Sequence, residues 1–432
     1  MSSGLTGKRV TFTAVLRVRE FRVLWLADSQ SAIGDQIARV ALSVLVFERT
    51  SSAILTALTY ALTFLPALVG GALLSGLADR LPRRRVLIVA DLIRAVLFGL
   101  MALPRVPIWV LCTLLVLAVL TESPFTAAES SLVPTILQDD YYVVGTALRT
   151  ITNQVAQLAG FAAGGIAIAA IGARAGLAVD AATFLVSALV IWIGVKARPA
   201  AVREEPSEKV GGFGGSSLAT GIRLIFGDPR LRTLLGLAWL AGLYVVPEGV
   251  AAPYAAAVGH GATAVGLLMA AMPAGTALGT YLFVRLVPAG SRSKWMGPMG
   301  TAAGLPLIGC WMLPNLQLSL VLWAASGLFF SYQVQVVTEF VRAVPDNQRG
   351  QAVGIASSGL LAVQGIGLLL GGIVAGTAGV GWAVGGAGLV GLMLALWLTW
   401  LWSKANPAST AAPLVTSGGQ HRRRAQYVRK AQ

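Results

Sequence analysis

Leu74-Ser75-Gly76-Leu77-Ala78-Asp79-Arg80-Leu81-Pro82-Arg83-Arg84-Arg85 sets five charges between two apolar runs, each long enough to cross a bilayer. Four arginines within six residues are drawn to the negatively charged inner leaflet and resist translocation. The stretch is therefore a cytoplasmic loop, and both flanking segments cross outward from it. Counting from it, apolar runs recur at 21–47, 53–78, 86–103, 107–128, 142–170, 174–196, 231–256, 262–287, 296–313, 316–338, 352–378 and 382–402. Each is near the roughly 20 residues a helix needs to span hydrocarbon. Twelve spans return the C-terminus to the side of the N-terminus. Of the 33 Lys and Arg residues, 27 fall in the termini and the loops on that side. Arg49, Arg105 and Arg174 fall opposite, and Arg39, Arg94 and Arg149 lie within spans. That asymmetry predicts cytoplasmic N- and C-termini on a multi-pass protein of the plasma membrane.

Composition agrees. Over 432 residues, 56% are hydrophobic and only 12% charged, with a mean hydropathy of +0.74, which a water-soluble domain of this size could not carry on its surface. The net charge of +15 follows from basic loops facing an anionic leaflet. Nucleic acid is not an expected partner, because no basic stretch is interleaved with aromatics for stacking. Cys112 and Cys310 sit far apart in apolar runs and read as small core residues. His260 falls in or near an outer loop and His421 in the tail, so neither joins a metal cluster. No nucleophile with a base and no phosphate loop appears, so neither an enzyme nor a cofactor is expected. The first apolar run carries Asp28, Asp35 and Arg39 and lacks a small-residue cleavage site, so it reads as retained rather than as a signal peptide.

The predicted fold is all-α and membrane-embedded: twelve transmembrane helices in two pseudo-symmetric six-helix bundles, residues 1–196 and 231–402. Residues 197–230 form a cytoplasmic linker, with Gly211-Gly212-Phe213-Gly214-Gly215 for flexibility and a short surface helix around Ile222–Phe226. Residues 403–432 form a basic tail. The halves repeat weakly at an offset of about 207 to 210 residues. Gly160-x-x-x-Gly164-Gly165 answers Gly367-x-x-x-Gly371-Gly372, and Glu129 with Pro134 answers Glu339 with Pro345. Parallel duplication of a six-helix unit is an arrangement of secondary transporters, whose substrate site lies between the halves.

With these features the chain resembles the major facilitator superfamily over nearly its whole length. The family's loop pattern, Gly-x-Leu-Ala-Asp-Arg-x-Gly-Arg-Arg, is met by Leu77-Ala78-Asp79-Arg80 and Arg83-Arg84, with Ser75 and Pro82 at the glycine positions. The resemblance implies that Asp79, Arg80, Arg83 and Arg84, supported by Asp91 and Arg94, latch the inner face in the outward-open state. The equivalent loop of the second half, Arg285 to Lys294, lacks the pattern. Phe21-Arg22-x-Leu24-Trp25, Ser31-x-x-Gly34-Asp35, Arg85-Val86-Leu87-Ile88-x-x-Asp91-Leu92-x-Arg94-Ala95 and Asp180-Ala181-Ala182-x-Phe184-Leu185 resemble the drug-efflux branch that includes macrolide and siderophore exporters. The antiporter motif Gly-Pro-x-x-Gly-Gly has Phe161 at its proline position.

Ionisable groups inside spans are costly, about 2.5 to 3.5 kcal/mol on insertion scales, so they face a cavity or a partner. Asp28, Ser31, Asp35 and Arg39 fall on one helical face, and Asp35 lies roughly 20 Å from the inner edge at about 1.5 Å per residue. Asp35 either titrates, with Arg39 tuning its affinity for the proton, or forms a structural pair with it. Asp91 and Arg94, at i and i+3, read first as a structural salt bridge. Glu122 and Glu129 share a face of span four, and either can meet Arg149; Glu122, the deeper one, is a cavity candidate. Glu248, the lone ionisable residue of span seven, sits between Pro247 and Pro253 where a broken helix exposes backbone groups. Coupling candidates are thus Asp35, Arg39, Glu248 and Glu122. Cavity candidates are Asp28, Ser31, Asn153, Gln157, Tyr244 and Tyr332. The expected function is secondary active export of small amphipathic molecules by alternating access coupled to protons, by a monomer whose partners are substrate, protons and the bilayer. A lipid translocase or a non-transporting sensor on the same fold is the alternative.

Overall fold

The computed structural model describes residues 10–67, 70, 81–198, 215–313 and 315–405. The core of the predicted loop, including Asp79 and Arg80, lies outside the described residues, as do residues 199–214 of the linker and 406–432 of the tail. The described residues form helices and connecting turns with no strand. In chain order they are α1 (Phe12–Leu16), α2 (Arg19–Thr50), α3 (Ala53–Ala61), α4 (Arg83–Met101), α5 (Ile108–Ile136), α6 (Asp139–Ile171), α7 (Ala173–Gly194) and α8 (Gly215–Gly227). There follow α9 (Pro229–Gly249), α10 (Ala251–Ala257), α11 (Ala262–Leu286), α12 (Arg292–Gly309), α13 (Leu316–Ala343), α14 (Arg349–Thr377) and α15 (Val380–Ala405).

Among the described residues seven helices are long and apolar enough to cross a membrane, and α9 with α10 makes an eighth, bent by 47°. The bend falls between Pro247 and Pro253, where proline nitrogens cannot donate to the helical ladder. Other predicted spans miss that standard for visible reasons. Asp28, Asp35 and Arg39 dilute α2, Asp91, Arg94 and an arginine-rich first turn dilute α4, and only the outer part of predicted span two is described. The chain is a multi-pass membrane protein.

Helices α2, α4, α5, α6 and α7 pack on one another, with α3 counted in this first set by its place in the chain although it packs on α14 as well as on α2, and α9, α11, α12, α13, α14 and α15 form a second set. Glycines determine how closely they approach. Gly160 and Gly164 seat α6 on α2, where a Cβ at Gly160 would lie 2.7 Å from the Gln36 Cβ. Gly367 and Gly371 seat α14 on α9 against Gly242 and Val246. The next glycine in each series faces the other set: a Cβ on Gly165 would lie 2.7 Å from the Gly266 Cα of α11, and one on Gly372 would collide with Ala57 of α3. The repeated sequence motif therefore has a repeated job, packing within a set at two positions and between sets at the third. These contacts, with those of α10 against α2 and α3, gather at the end of the molecule opposite Arg83–Arg85.

At the arginine end, α1 is capped by the Thr11 hydroxyl and buries Val15 against Phe21, Val133 and Leu137. Helix α8 buries Ile225, and Asp228 caps α9 by accepting from the Arg230 N–H at 2.8 Å.

Candidate transport cavity

Three chambers have Arg39 of α2 in their walls. The smallest, about 50 Å³, includes Asp35, Thr63, Arg94 and Glu122. A second, about 470 Å³, runs past Phe64, Glu122, Ser123, Thr126 and Ser130 to Leu361 of α14. The third, about 210 Å³, lies between the helix sets, with Gln154 and Gln157 on one side and Tyr244, Glu248, Met272, Thr276, Phe330 and Gln364 on the other. Arg39 stacks on Phe64 at 5.7 Å and is within electrostatic reach of Asp35, Glu122, Tyr60 and Glu248. Acids from both helix sets therefore converge on one guanidinium.

Glu248 is buried, and its Oε2 accepts a hydrogen bond from the Tyr60 hydroxyl at 2.7 Å. Tyr60 belongs to α3 and Glu248 to α9, so this bond joins the two sets. Tyr60 was not singled out in the sequence because a tyrosine in an apolar run reads as core.

The other charged candidates are anchored elsewhere. Arg94 meets the Asp91 Oδ1 at 2.6 Å, Ser187 donates to Asp91 Oδ2 at 2.6 Å, and the guanidinium lies between Phe125 and Phe184 at 4.5 and 4.4 Å. This buried knot ties α4 to α5 and α7, with the Arg94 Nε left without a hydrogen-bond partner among the described residues. Arg149 pairs with Glu129 at 2.5 Å and Asp28 at 3.4 Å, joining α6, α5 and α2. Arg83 donates to the Ser131 carbonyl at 2.9 Å and Arg84 to that of Trp192, each near the C-terminal end of its partner helix, where the helix dipole favours a cation. Ser31 is turned to the Asp28 carbonyl. Asn153 is exposed, whereas its neighbour Gln154 joins Gln157 on the cavity wall, a one-residue difference in helical phase. Tyr244 lines the cavity and donates to the Gly300 carbonyl at 2.8 Å; Tyr332, fully buried, donates to that of Leu237 at 2.9 Å. Asp180 is also fully buried, with one oxygen on the Thr183 hydroxyl at 3.1 Å and Oδ2 without a hydrogen-bond partner among the described residues.

Away from helix ends, the first set holds Asp28, Asp35, Asp91, Glu122, Glu129 and Asp180 against Arg39, Arg94 and Arg149. An excess of carboxylates in a membrane interior requires neutralisation by protons or by a cationic ligand.

A polytopic helical protein with a polar chamber between two glycine-packed helix sets belongs to the class of membrane transporters. The Major Facilitator Superfamily model matches residues 24–252, over half the chain, and the chain belongs to that family. "Multidrug efflux pump Tap" of Mycolicibacterium fortuitum is 26% identical over 370 residues, covering 83% of this chain and 90% of that protein. "Macrolide efflux protein A" of Streptococcus pyogenes is 26% identical over 125 residues, 28% of this chain and 31% of that protein. These relatives align it with the drug-efflux branch, and it is a transporter rather than an enzyme. Among solved structures, a bacterial homolog of the human lysosomal transporter Spinster, inward-facing and occupied, superposes with a TM-score of 0.71 at 16% identity, covering 91% of this chain and 98% of that one. The nucleoside transporter NupG superposes at 0.64 with 14% identity, covering 91% and 100%.

Proposed function

We propose that the protein is a proton-coupled exporter of small amphipathic molecules, cationic ones above all. In this reading twelve spans form two six-helix bundles, 1–196 and 231–402, joined by a linker at 197–230 and followed by a basic tail at 403–432, with both termini cytoplasmic. The protein acts as a monomer in the plasma membrane. The observation that carries the proposal is the meeting of Asp35, Glu122 and Glu248, from both helix sets, at Arg39 on the wall of a cavity of mixed aromatic and amide character. An arginine shared by several acids lets arrival of a proton or a cation on one acid change the pairing of the others, which is the form coupling takes in an alternating-access machine. Efflux pumps among the relatives support the direction of transport.

Among the described residues the glycine contacts between the sets gather at the end opposite Arg83–Arg85, the outer end in this reading, which supports a closed outer gate. Asp79, Arg80, Arg83 and Arg84 would then hold the opposite, outward-open state. The test is efflux of a fluorescent lipophilic cation from proteoliposomes with an imposed pH gradient, comparing the native protein with Asp35→Asn. Asp35→Asn should bind the dye but lose the dependence of flux on the gradient. Gradient-driven flux that survives in Asp35→Asn excludes Asp35 as the coupling acid, and transfer of labelled lipid without dye flux from the native protein overturns the exporter reading.

A further inference from the structure

A further cavity lies away from the chambers around Arg39. It measures about 540 Å³ and opens at the arginine end of the molecule, between the start of α2, the first turn of α4 and the end of α7. Its wall carries Arg19, Arg84 and Lys196 beside Val18, Trp192 and Ile193. Glu20 also lines it, but that carboxylate is consumed: Oε1 accepts from the Lys196 N–H at 2.7 Å and from Arg198 at 2.9 Å, and Oε2 takes the second Arg198 nitrogen at 2.7 Å. Arg19, Arg84 and the Lys196 ammonium form no ion pair within 4.0 Å among the described residues, and Lys196 feels Glu20, already bound by Arg198, only at longer range. Trp192 and Ile193, 60% and 64% exposed, continue the groove along the lipid-facing side of α7.

We propose that this groove binds the headgroup of an acidic phospholipid of the inner leaflet. Three cations outside any ion pair, beside a Glu20 already neutralised by Arg198, match a phosphodiester carrying net negative charge. The tryptophan and isoleucine wall suits the glycerol and upper acyl chains, and a membrane-boundary position supplies such a ligand from the bilayer at high local concentration. The bound lipid would bridge the ends of α2, α4 and α7 where Arg84 already reaches the Trp192 carbonyl. The inference rests on the cytoplasmic placement of the arginine end, but the test below measures no flux and stands or falls apart from export.

The full chain is purified in a neutral detergent with equal amounts of phosphatidylglycerol and phosphatidylcholine, and retained lipid is counted by native mass spectrometry. The native protein should retain phosphatidylglycerol selectively. Arg19→Gln with Lys196→Gln should lower that selectivity roughly tenfold or more, since each cation near an anionic surface is worth about fivefold. Unchanged selectivity in the double variant overturns the proposal. Excess inorganic phosphate should not displace the lipid; full displacement would make this a free-anion site and overturn it too. Should the double variant fail to fold, a photoreactive phosphatidylglycerol on the native protein decides: adducts within residues 18–20 or 192–197 support the site, and adducts confined elsewhere refute it.

Discussion

Replacing Tyr60 with phenylalanine removes a single hydroxyl, the donor that joins α3 to Glu248 of α9 at 2.7 Å across the two helix sets. The ring stays, so packing against Phe64, 5.9 Å away between centroids, is kept. A hydrogen bond to a buried ionised carboxylate is worth about 1.5 to 3 kcal/mol, and one to a neutral acid about 0.5 to 1.5 kcal/mol. Because Glu248 also borders the 210 Å³ chamber, water can replace part of the lost bond, and a value of about 1.5 kcal/mol, where the two ranges meet, applies. At about 1.4 kcal/mol per decade, Tyr60→Phe should shift the balance from the closed outer gate toward the outward-open state by roughly tenfold. Spin labels at the exposed positions Arg174 and His260, in a background with Cys112 and Cys310 replaced by alanine, report the distance between the outer ends by pulsed electron resonance. A longer-distance population should grow in Tyr60→Phe. Distance distributions that superpose on those of the parent would refute the reasoning, because the bond would then hold nothing closed.

Three other substitutions separate packing, structure and surface charge. Gly165→Val should also favour the outward-open state while sparing insertion, since its Cβ would lie 2.7 Å from Gly266 Cα and 3.0 Å from the Ala262 carbonyl; the same spin-label pair reads it. Asp91→Asn should lower thermal stability in detergent by about 3 to 5 kcal/mol with little change in the pH dependence of flux, because it leaves Arg94 buried without its partner. Partial burial pushes the Glu20 carboxyl up, but the hydrogen bonds from Arg198 and the Lys196 N–H outweigh it and hold the group below its ordinary value of 4.5. A depressed carboxyl stabilises the fold above its unfolded value and loses that contribution as pH falls through the folded one. Glu20→Gln should therefore lower the melting temperature at neutral pH and make no difference in strong acid.

What the sequence made legible was whatever depends on one dimension of the chain. Hydrophobic run length is a property of consecutive residues, and the bend between Pro247 and Pro253 follows from missing backbone donors in one helix. The Asp91–Arg94 bridge is an i, i+3 pair and needs no tertiary information. The site depends instead on which faces meet. Helical spacing sets Asp28, Ser31, Asp35 and Arg39 in one stripe, yet Asp28 turns to Arg149 of α6 while Arg39 reaches toward Glu248 of the other set. Nothing in the spacing of α2 distinguishes those fates. Tyr60 and Gln154 illustrate the same limit, one hidden in an apolar run and the other displaced by a single residue from the expected phase. The glycine repeat was more informative than its weakness suggested. Because Gly165 and Gly372 follow their partners directly, each face of the helix turns from its own set to the opposite one within about 100°. The residues of the glycine repeat are thus also those on which the two helix sets meet, so a change that opens the proposed outer gate should be sought at the third glycine of either motif rather than at the first two.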